Sequence, residues 1–216
     1  MKSLQITYLE QSCFMLQTES SNLLIDPGKK KYGDITGDIV VATHKHYDHT
    51  NGINIFLEQN PEAVLICNEQ VAKKFKLWQD RIVLAISGEE IVQEPWKIRF
   101  INGRHGLFSK IQNTGVLVQT QSTSFWHAGD SIEFQGFVQD PPEVLAIPIG
   151  GIFTASPKKA LKELQSFSEP LPTIIPMHWL WRNPHKFCKK LQSRFPGSQC
   201  IVPEDGELVF GQTGDA

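Results

Sequence analysis

The sequence lacks a long apolar run, an excess of positive charge and a paired cysteine motif. No uninterrupted apolar stretch reaches the roughly 18 residues that a membrane-spanning helix needs, and the N-terminus shows no signal-peptide core. Its 21 Lys and Arg stand against 23 Asp and Glu in 216 residues. This balance excludes a polycation and makes duplex nucleic acid a poor candidate partner. We expect no membrane partner and a cytoplasmic location.

The four cysteines, Cys13, Cys67, Cys188 and Cys200, form no C-x-x-C pair. Because no secretory signal precedes them, this scatter favours reduced thiols, most of them buried as small hydrophobic side chains. The composition, 40% apolar and 20% charged, is that of an ordinary globular protein. We expect one domain over residues 1–216, since no linker-like boundary interrupts the chain.

The hydrophobic pattern mixes short strands with a few amphipathic helices. The runs LQITYL, SCFMLQT and NLLID predict a β meander, and DIVVAT predicts a buried central strand. Strand signals from RIVLAI to SFWHAG predict a second sheet. Helices are predicted near residues 53–57, 71–78, 157–167 and 183–195. This mixture favours an α+β fold, with two sheets and helices outside them.

The most informative stretch of the chain is Thr43–His49, which reads THKHYDH. It places three imidazoles and a carboxylate directly after a predicted buried strand. In extended backbone, residues i and i+2 face the same way, so His44 and His46 can offer ring nitrogens to one cation. Asp48 and His49 follow where the chain turns, and can reach a neighbouring site about 3.5 to 4 Å away. The pattern therefore predicts two adjacent metal sites.

This stretch resembles the H-x-H-x-D-H signature of the metallo-β-lactamase superfamily of binuclear metallohydrolases. Three later residues extend the resemblance in the expected order: His105 in GRHG, Asp130 in HAGD and His178 in PMHW. The resemblance implies an αββα sandwich, in which two mixed β-sheets pack face to face with helices outside. It assigns His44, His46 and His105 to a first metal, Asp48, His49 and His178 to a second, and Asp130 as the bridge between them.

The resemblance also implies a supporting residue and a chemistry. Asp26, in LLIDPG, matches the superfamily's first motif, whose Asp orients a metal-bound histidine from behind. Two divalent cations, Zn²⁺ with Mn²⁺ or Fe²⁺ as alternatives, would lower the pKa of a bridging water to about 7 and provide a hydroxide. We expect Asp48 to be catalytic, because it would orient that nucleophile and take up its proton.

Within the superfamily, the chain resembles a branch of small hydrolases that includes ascorbate-6-phosphate lactonase. The matching segments are Ile6–Leu9, Ser12–Phe14, Leu24–Pro27 and Pro148–Thr154. The chain departs from the branch at Ser131, where a Gly-Asp-Thr motif is usual. Candidate substrate contacts are Gly151, Phe153 and Thr154, which can offer a backbone amide, an aromatic ring and a hydroxyl group.

Several other residues leave alternatives open. The aromatic side chains that flank ligand-bearing segments fit either a substrate pocket or the core; they are Phe108, Phe153, Trp179 and Trp181. His127 and His185 have no place in the ligand pattern, and we interpret them as a strand residue and a helix-surface residue. The lysine runs at 29–31, 73–74, 158–159 and 189–190 fit solvated faces better than a phosphate-binding stripe.

Four functions are compatible with these residues. The favoured one is hydrolysis of a small-molecule ester or lactone, with or without a phosphate group, by a metal-bridging hydroxide. A phosphodiesterase or nuclease could use the same two-metal centre, although the acidic balance of the chain argues against it. A non-catalytic metal-binding protein is less favoured because it would not need an open centre. An oxygen-reducing diiron protein ranks last. The sequence does not indicate an oligomeric state.

Overall fold

Two β-sheets packed face to face form the centre of the protein. The computed structural model describes residues 4–106, 109–138 and 141–211. In chain order, the strands are β1 (Gln5–Glu10), β2 (Cys13–Gln17), β3 (Asn22–Ile25), β4 (Ile39–Ala42), β5 (Val64–Cys67), β6 (Ile82–Leu84), β7 (Glu90–Gln93), β8 (Trp96–Gly103), β9 (Asn113–Gln119), β10 (Ser124–His127), β11 (Val144–Pro148), β12 (Thr173–Met177) and β13 (Glu207–Phe210). The helices are α1 (Tyr47–Thr50), α2 (Ile53–Gln59), α3 (Glu69–Ala72), α4 (Pro157–Glu163) and α5 (Pro184–Arg194).

The strand directions bring many chain turns to a common edge. The first sheet has the order β13-β1-β2-β3-β4-β5-β6, and the second has the order β12-β11-β10-β9-β8-β7. Strands β3 to β6 run parallel, after the predicted meander of β1 to β3. In the second sheet β10, β11 and β12 run parallel, and β8 shares their direction because it and β10 both pair antiparallel with β9. The carboxyl ends of each parallel set therefore lie at one edge of their sheet.

The core lies between the two sheets, and a second apolar layer lies beneath the helices of the first sheet. Phe14 of β2 contacts Phe125 of β10, with ring centroids 5.2 Å apart. Ile53 and Phe56 of α2 are buried in a separate cluster with Val40 of β4. These two layers confirm the predicted α+β sandwich of mixed sheets with helices outside.

One segment joins a different sheet from the one we predicted. Residues 82–84, from RIVLAI, form β6 and pair parallel with β5 at the edge of the first sheet, so their assignment to the second sheet is wrong. The predicted helix near 71–78 is also shorter, because α3 ends at Ala72 and the backbone of Phe75 and Trp78 is non-helical. A 3₁₀ helix continues the chain over Lys76–Arg81.

Two of the four cysteines form a disulfide bond, so the prediction of four reduced thiols is wrong. Cys188 of α5 is bonded to Cys200, with their Cα atoms 5.5 Å apart. The pair meets because α5 packs near β12 and Cys200 forms a β-bridge with Ile174 of that strand. Cys13 and Cys67 are free and buried, as predicted. Across the described ranges, no helix combines the length and the apolar character that crossing a membrane requires.

Candidate metal centre

Seven predicted ligands meet at the strand edge where the two sheets end. His44 follows β4, His105 follows β8, Asp130 follows β10 and His178 follows β12. The short helix α1 begins at Tyr47 and carries Asp48 and His49, and His46 lies directly before it as the N-cap residue. Four of the seven form one group that could hold a cation, and three form another; the groups are His44, His46, His105 and Asp130, and Asp48, His49 and His178.

In the first group, ring nitrogens and a carboxylate surround a small space. The Nε2 atom of His44 lies 2.9 Å from Nδ1 of His46 and 3.7 Å from Oδ2 of Asp130. The Nε2 atom of His105 lies 3.8 Å from the same oxygen. His44, His105 and Asp130 are buried, so few water molecules compete for these atoms. Imidazole nitrogens with one carboxylate are a donor set that zinc accepts.

Two members of the second group lie close to Asp130, which belongs to the first group. Oδ1 of Asp130 lies 3.5 Å from Nε2 of His49, and Oδ2 lies 3.5 Å from Nε2 of His178. The same His178 nitrogen lies 3.3 Å from Oδ2 of Asp48. The Asp130 carboxylate therefore lies between the two groups, close to His44 and His105 on one side and to His49 and His178 on the other.

Several buried polar atoms in the centre have no hydrogen-bond partner within the described ranges. They are Nε2 of His49, both ring nitrogens of His105, Oδ1 of Asp130 and Nδ1 of His178. An unsatisfied buried polar atom normally costs about 1–3 kcal/mol, so several together need an explanation. Cations bound between the two groups would satisfy Nε2 of His49, Oδ1 of Asp130 and one ring nitrogen of His105. The residues present therefore fit a metal centre.

The charge states of the first group and of both carboxylates suit metal binding. Burial lowers the pKa of His44, His46 and His105, so their rings are held in the neutral form. Burial alone would raise the pKa of Asp130 and Asp48, but neighbouring histidines hold both values below the ordinary one. Neutral imidazole and ionised carboxylate are the forms that bind a cation. Burial alone would lower the pKa of His49 and His178, but the nearby carboxylates raise both, so a cation would have to displace a proton from these two rings.

Asp26 lies behind the centre, completely buried at the end of β3. Its Oδ2 atom is 2.7 Å from Nδ1 of His49 and accepts a hydrogen bond from the Thr43 hydroxyl, also at 2.7 Å. Its Oδ1 atom accepts from the Thr43 backbone N–H at 2.8 Å. A carboxylate in this position fixes the ring orientation and tautomer of His49, so that Nε2 faces the centre.

Gln11 is a site residue that sequence reasoning missed. It lies in the turn between β1 and β2 with φ +56, and its Nε2 atom donates a hydrogen bond to Oδ2 of Asp48 at 2.8 Å. The same amide nitrogen lies 3.2 Å from Nε2 of His178. The backbone oxygen of Gln11 also accepts a hydrogen bond from the His178 N–H at 2.8 Å. Gln11 thus contacts two members of the second group.

His127 is also part of the polar network, although we interpreted it only as a strand residue. It lies in β10, as predicted, and is completely buried. Its Nε2 atom donates to the Ser12 backbone oxygen at 2.8 Å, and Nδ1 accepts from the Gly129 N–H at 3.1 Å. These contacts hold the turn that carries Asp130. His185 is exposed on α5, as expected.

The predicted substrate-contact residues form one rim of the centre. Phe153 is 61% exposed, and its ring stacks near that of His105, with centroids 6.0 Å apart. Gly151 has φ +92 and donates its N–H to the Thr154 hydroxyl oxygen at 3.1 Å. A Cβ atom at Gly150 would lie only 2.6 Å from the His178 backbone oxygen, so this close approach requires glycine.

The other aromatic residues divide between the core and the surface. Trp179 stacks on Tyr8 with ring centroids 5.6 Å apart and packs against the core. Trp181 is 65% exposed. The position of Phe108 lies outside the described residues.

Comparisons with known proteins identify the family. The family described as "Beta-lactamase superfamily domain" matches residues 5–178. The chain is similar to a "UPF0173 metal-dependent hydrolase" from Aeropyrum pernix, at 26% identity over 94% of this chain and 96% of the relative. Among solved structures, it is similar to Igni18, described as a novel metallo hydrolase from Ignicoccus hospitalis, with a TM-score of 0.79, 22% identity and coverage of 96% and 97%.

A third comparison supports the fold alone. The metallo-beta-lactamase fold protein YhfI from Bacillus subtilis has a TM-score of 0.80 at 13% identity, covering 98% of this chain and all of that chain. The superfamily resemblance of the THKHYDH stretch is therefore confirmed, whereas the ascorbate-6-phosphate lactonase branch stays a prediction. The family match over residues 5–178, together with the shared fold, shows that this chain belongs to the metallo-β-lactamase superfamily.

Proposed function

We propose that this protein is a metal-dependent hydrolase that cleaves an ester or lactone bond in a small molecule at a two-cation centre. The observation that carries the proposal is Asp130, whose two oxygens face both ligand groups. Two bound divalent cations would supply a water of lowered pKa as nucleophile and would polarise the substrate oxygen. Similarity to proteins named metal-dependent hydrolases supports the reaction class.

Asp48 is the residue best placed to handle the proton of the attacking water. Its side chain is 46% exposed, whereas the side chains of His49 and Asp130 are almost completely buried. The hydrogen bond from His178 and the charge of His49 outweigh burial and hold the pKa of Asp48 below its ordinary value. The Asp48 carboxylate is therefore ionised at neutral pH. An ionised carboxylate at the solvent side of the centre can orient a water molecule and accept its proton.

The chain's donor set favours zinc, because imidazole nitrogens outnumber carboxylate oxygens in both groups together. Manganese and iron accept the same ligands and remain alternatives. The exposed ring of Phe153 beside His105 supports binding of a small substrate next to the centre, and Gly151 and Thr154 fix the backbone of this rim through the hydrogen bond between them. We propose a small molecule as the partner, with no nucleic acid and no membrane, in the cytoplasm.

The test combines metal analysis with a substrate panel. Protein purified without chelator should contain about two divalent cations per chain by elemental analysis. It should hydrolyse members of a neutral ester and lactone panel, and Asp48→Ala should abolish turnover while the metals remain bound. Full activity of Asp48→Ala with both metals present would refute the role of Asp48. Phosphodiester cleavage without ester cleavage would instead support the phosphodiesterase alternative.

A further inference from the structure

Positive charge is concentrated in one part of this acidic chain. Residues 151–200 contain eight Lys and Arg but only two acidic residues, Glu163 and Glu169, although the whole chain has 21 Lys and Arg against 23 Asp and Glu. The remainder of the chain therefore carries 13 Lys and Arg against 21 acidic residues. All eight cations lie in α4, in α5 or directly before α5. Such a concentration creates a local potential that attracts anions.

An open groove of about 470 Å³ lies between the starts of α4 and α5. Four cationic side chains and an exposed indole contribute to its walls; these residues are Lys158, Trp181, Arg182, Lys186 and Lys190. Within residues 4–106, 109–138 and 141–211, no carboxylate forms an ion pair with any of these four cations. Among the residues that the structure describes, Lys159 is the only basic residue of α4 that forms an ion pair, with Glu163 at 2.7 Å.

The groove adjoins the metal centre through Gly150 and Gly151. A Cβ atom at Gly150 would lie 3.5 Å from Nδ1 of His178, and one at Gly151 would lie 3.4 Å from a terminal guanidinium nitrogen of Arg182. The Nε atom of Arg182 also approaches the Gly150 backbone oxygen at 3.4 Å. Because consecutive Cα atoms are about 3.8 Å apart and each Cβ lies about 1.5 Å from its Cα, the Arg182 guanidinium is at most roughly 14 Å from Nδ1 of His178, a distance that one small molecule can span.

We propose that this groove binds a phosphate group of the substrate while the bond to be cleaved lies at the metal centre, an inference that rests on the proposed hydrolase function. A phosphate dianion accepts hydrogen bonds from several cations at once, whereas a single carboxylate is matched by one arginine. Four uncompensated cations therefore fit a phosphate better than a carboxylate. The N-terminus of α5, capped by Asn183, also faces the groove and adds its positive end.

The surroundings of the groove favour a small molecule over a nucleic acid. Its volume lies within the range of about 300 to 1,000 Å³ that is usual for small-ligand sites. A nucleic acid would follow the basic residues beyond the groove, such as Lys162 and Arg194. The rest of the chain carries net negative charge, so it would repel the part of a long nucleic acid that extended beyond the basic face of α4 and α5.

The first experiment measures binding of inorganic phosphate by calorimetry to the full chain, before and after metal removal with a chelator. Binding to the groove should persist after chelation, because no metal takes part in it. The double variant Lys158→Gln/Lys186→Gln should weaken this binding by about tenfold or more. Lys189→Gln is the matched control, since Lys189 is exposed on the same helix but does not line the groove.

The second experiment compares hydrolysis of a neutral lactone with that of its phosphorylated counterpart by the metal-loaded chain. The double variant should raise KM for the phosphorylated lactone and leave kcat/KM for the neutral lactone unchanged. Phosphate binding does not depend on turnover. If neither lactone is cleaved but phosphate still binds through Lys158 and Lys186, the hydrolase proposal fails and the phosphate site stands.

Three results would overturn the phosphate site. The first is unchanged phosphate affinity in Lys158→Gln/Lys186→Gln. The second is an equal loss of affinity in Lys189→Gln, which would indicate an effect of net charge alone. The third is a single-stranded oligonucleotide that binds more tightly than phosphate and depends as strongly on Lys162 and Arg194. That result would favour the phosphodiesterase alternative.

Discussion

Replacement of Asp26 by asparagine tests whether the residue behind the centre controls metal binding. Asp26 is completely buried and receives two hydrogen bonds from Thr43, while its Oδ2 atom lies 2.7 Å from Nδ1 of His49. An asparagine side chain at this position would have the same shape, but only one oxygen to accept hydrogen bonds. The uncharged amide nitrogen would then replace one acceptor oxygen, so either a Thr43 donor or the Nδ1–H of His49 would lose its hydrogen bond.

The structure gives the expected size of the effect. Loss of a charged acceptor for His49 should lower the free energy of unfolding by about 1.5–3 kcal/mol. Removal of a carboxylate that orients a metal-bound histidine typically weakens metal binding by about 10- to 100-fold. We therefore expect Asp26→Asn to fold, and to bind the cation held by His49 about 10- to 100-fold more weakly. Asp26→Ala is less informative, because three unsatisfied donors could cost about 3–9 kcal/mol and unfold the chain.

The assay is competition with a chromophoric chelator, together with denaturant unfolding of the metal-free protein. Asp38→Asn is a matched control, since Asp38 also accepts two hydrogen bonds, from Ser21 and Asn22, but lies exposed and away from the centre. The control should keep the metal affinity of the original protein. If Asp26→Asn also keeps that affinity for both cations, Asp26 does not orient His49 for metal binding and the reasoning is refuted.

Other contacts give three further predictions. Gln11→Ala should lower kcat about tenfold with unchanged metal content, because Asp48 loses a hydrogen bond that orients it; an unchanged kcat would contradict this role. Cys188→Ala should lower Tm by about 6–12 °C in differential scanning calorimetry, because a short closed loop contributes about 3 kcal/mol; the variant should also no longer respond to reductant. Gly28→Ala should remove bound metal, as measured by elemental analysis, because the new Cβ would collide with the Asp48 backbone oxygen. Gly197→Ala is its control: the new Cβ meets no atom within 4 Å, and although the φ of +88 makes alanine locally strained there, the variant should keep the metal.

The four candidate ligands within THKHYDH could be predicted from the sequence, because a single strand and the turn after it determine their positions. DIVVAT forms the buried strand β4, and the chain turns into α1 immediately after it, so the spacing within THKHYDH determines which side chains face the centre. The later ligands, His105, Asp130 and His178, are far apart in sequence. Only the resemblance to a family placed them in one site, since no local pattern encodes which strand ends meet.

Pairing between distant segments explains two of the three errors in the fold prediction, those that concern residues 82–84 and the cysteines. The RIVLAI run has the composition of a strand, but composition does not state which sheet it joins, and β6 pairs with β5. Cys188 and Cys200 meet because α5 packs near β12 and residue 200 lies beside that strand. Neither approach follows from the spacing of the cysteines, since twelve residues of chain can adopt many conformations.

Gln11 and His127 differ in whether the sequence contained a signal for them. Gln11 lies in a turn, where a polar residue is usual, and its partners Asp48 and His178 are 37 and 167 residues away, so no pattern pointed to it.

His127 did carry a signal in the sequence, because alternation in β10 places it on the same face as Phe125, which is in the core. An imidazole at a core position must find hydrogen-bond partners, and the chain within reach includes the turn that carries Asp130. A polar residue on the apolar face of a strand, three positions before a candidate metal ligand, therefore indicates support of that residue even where no ligand motif includes it.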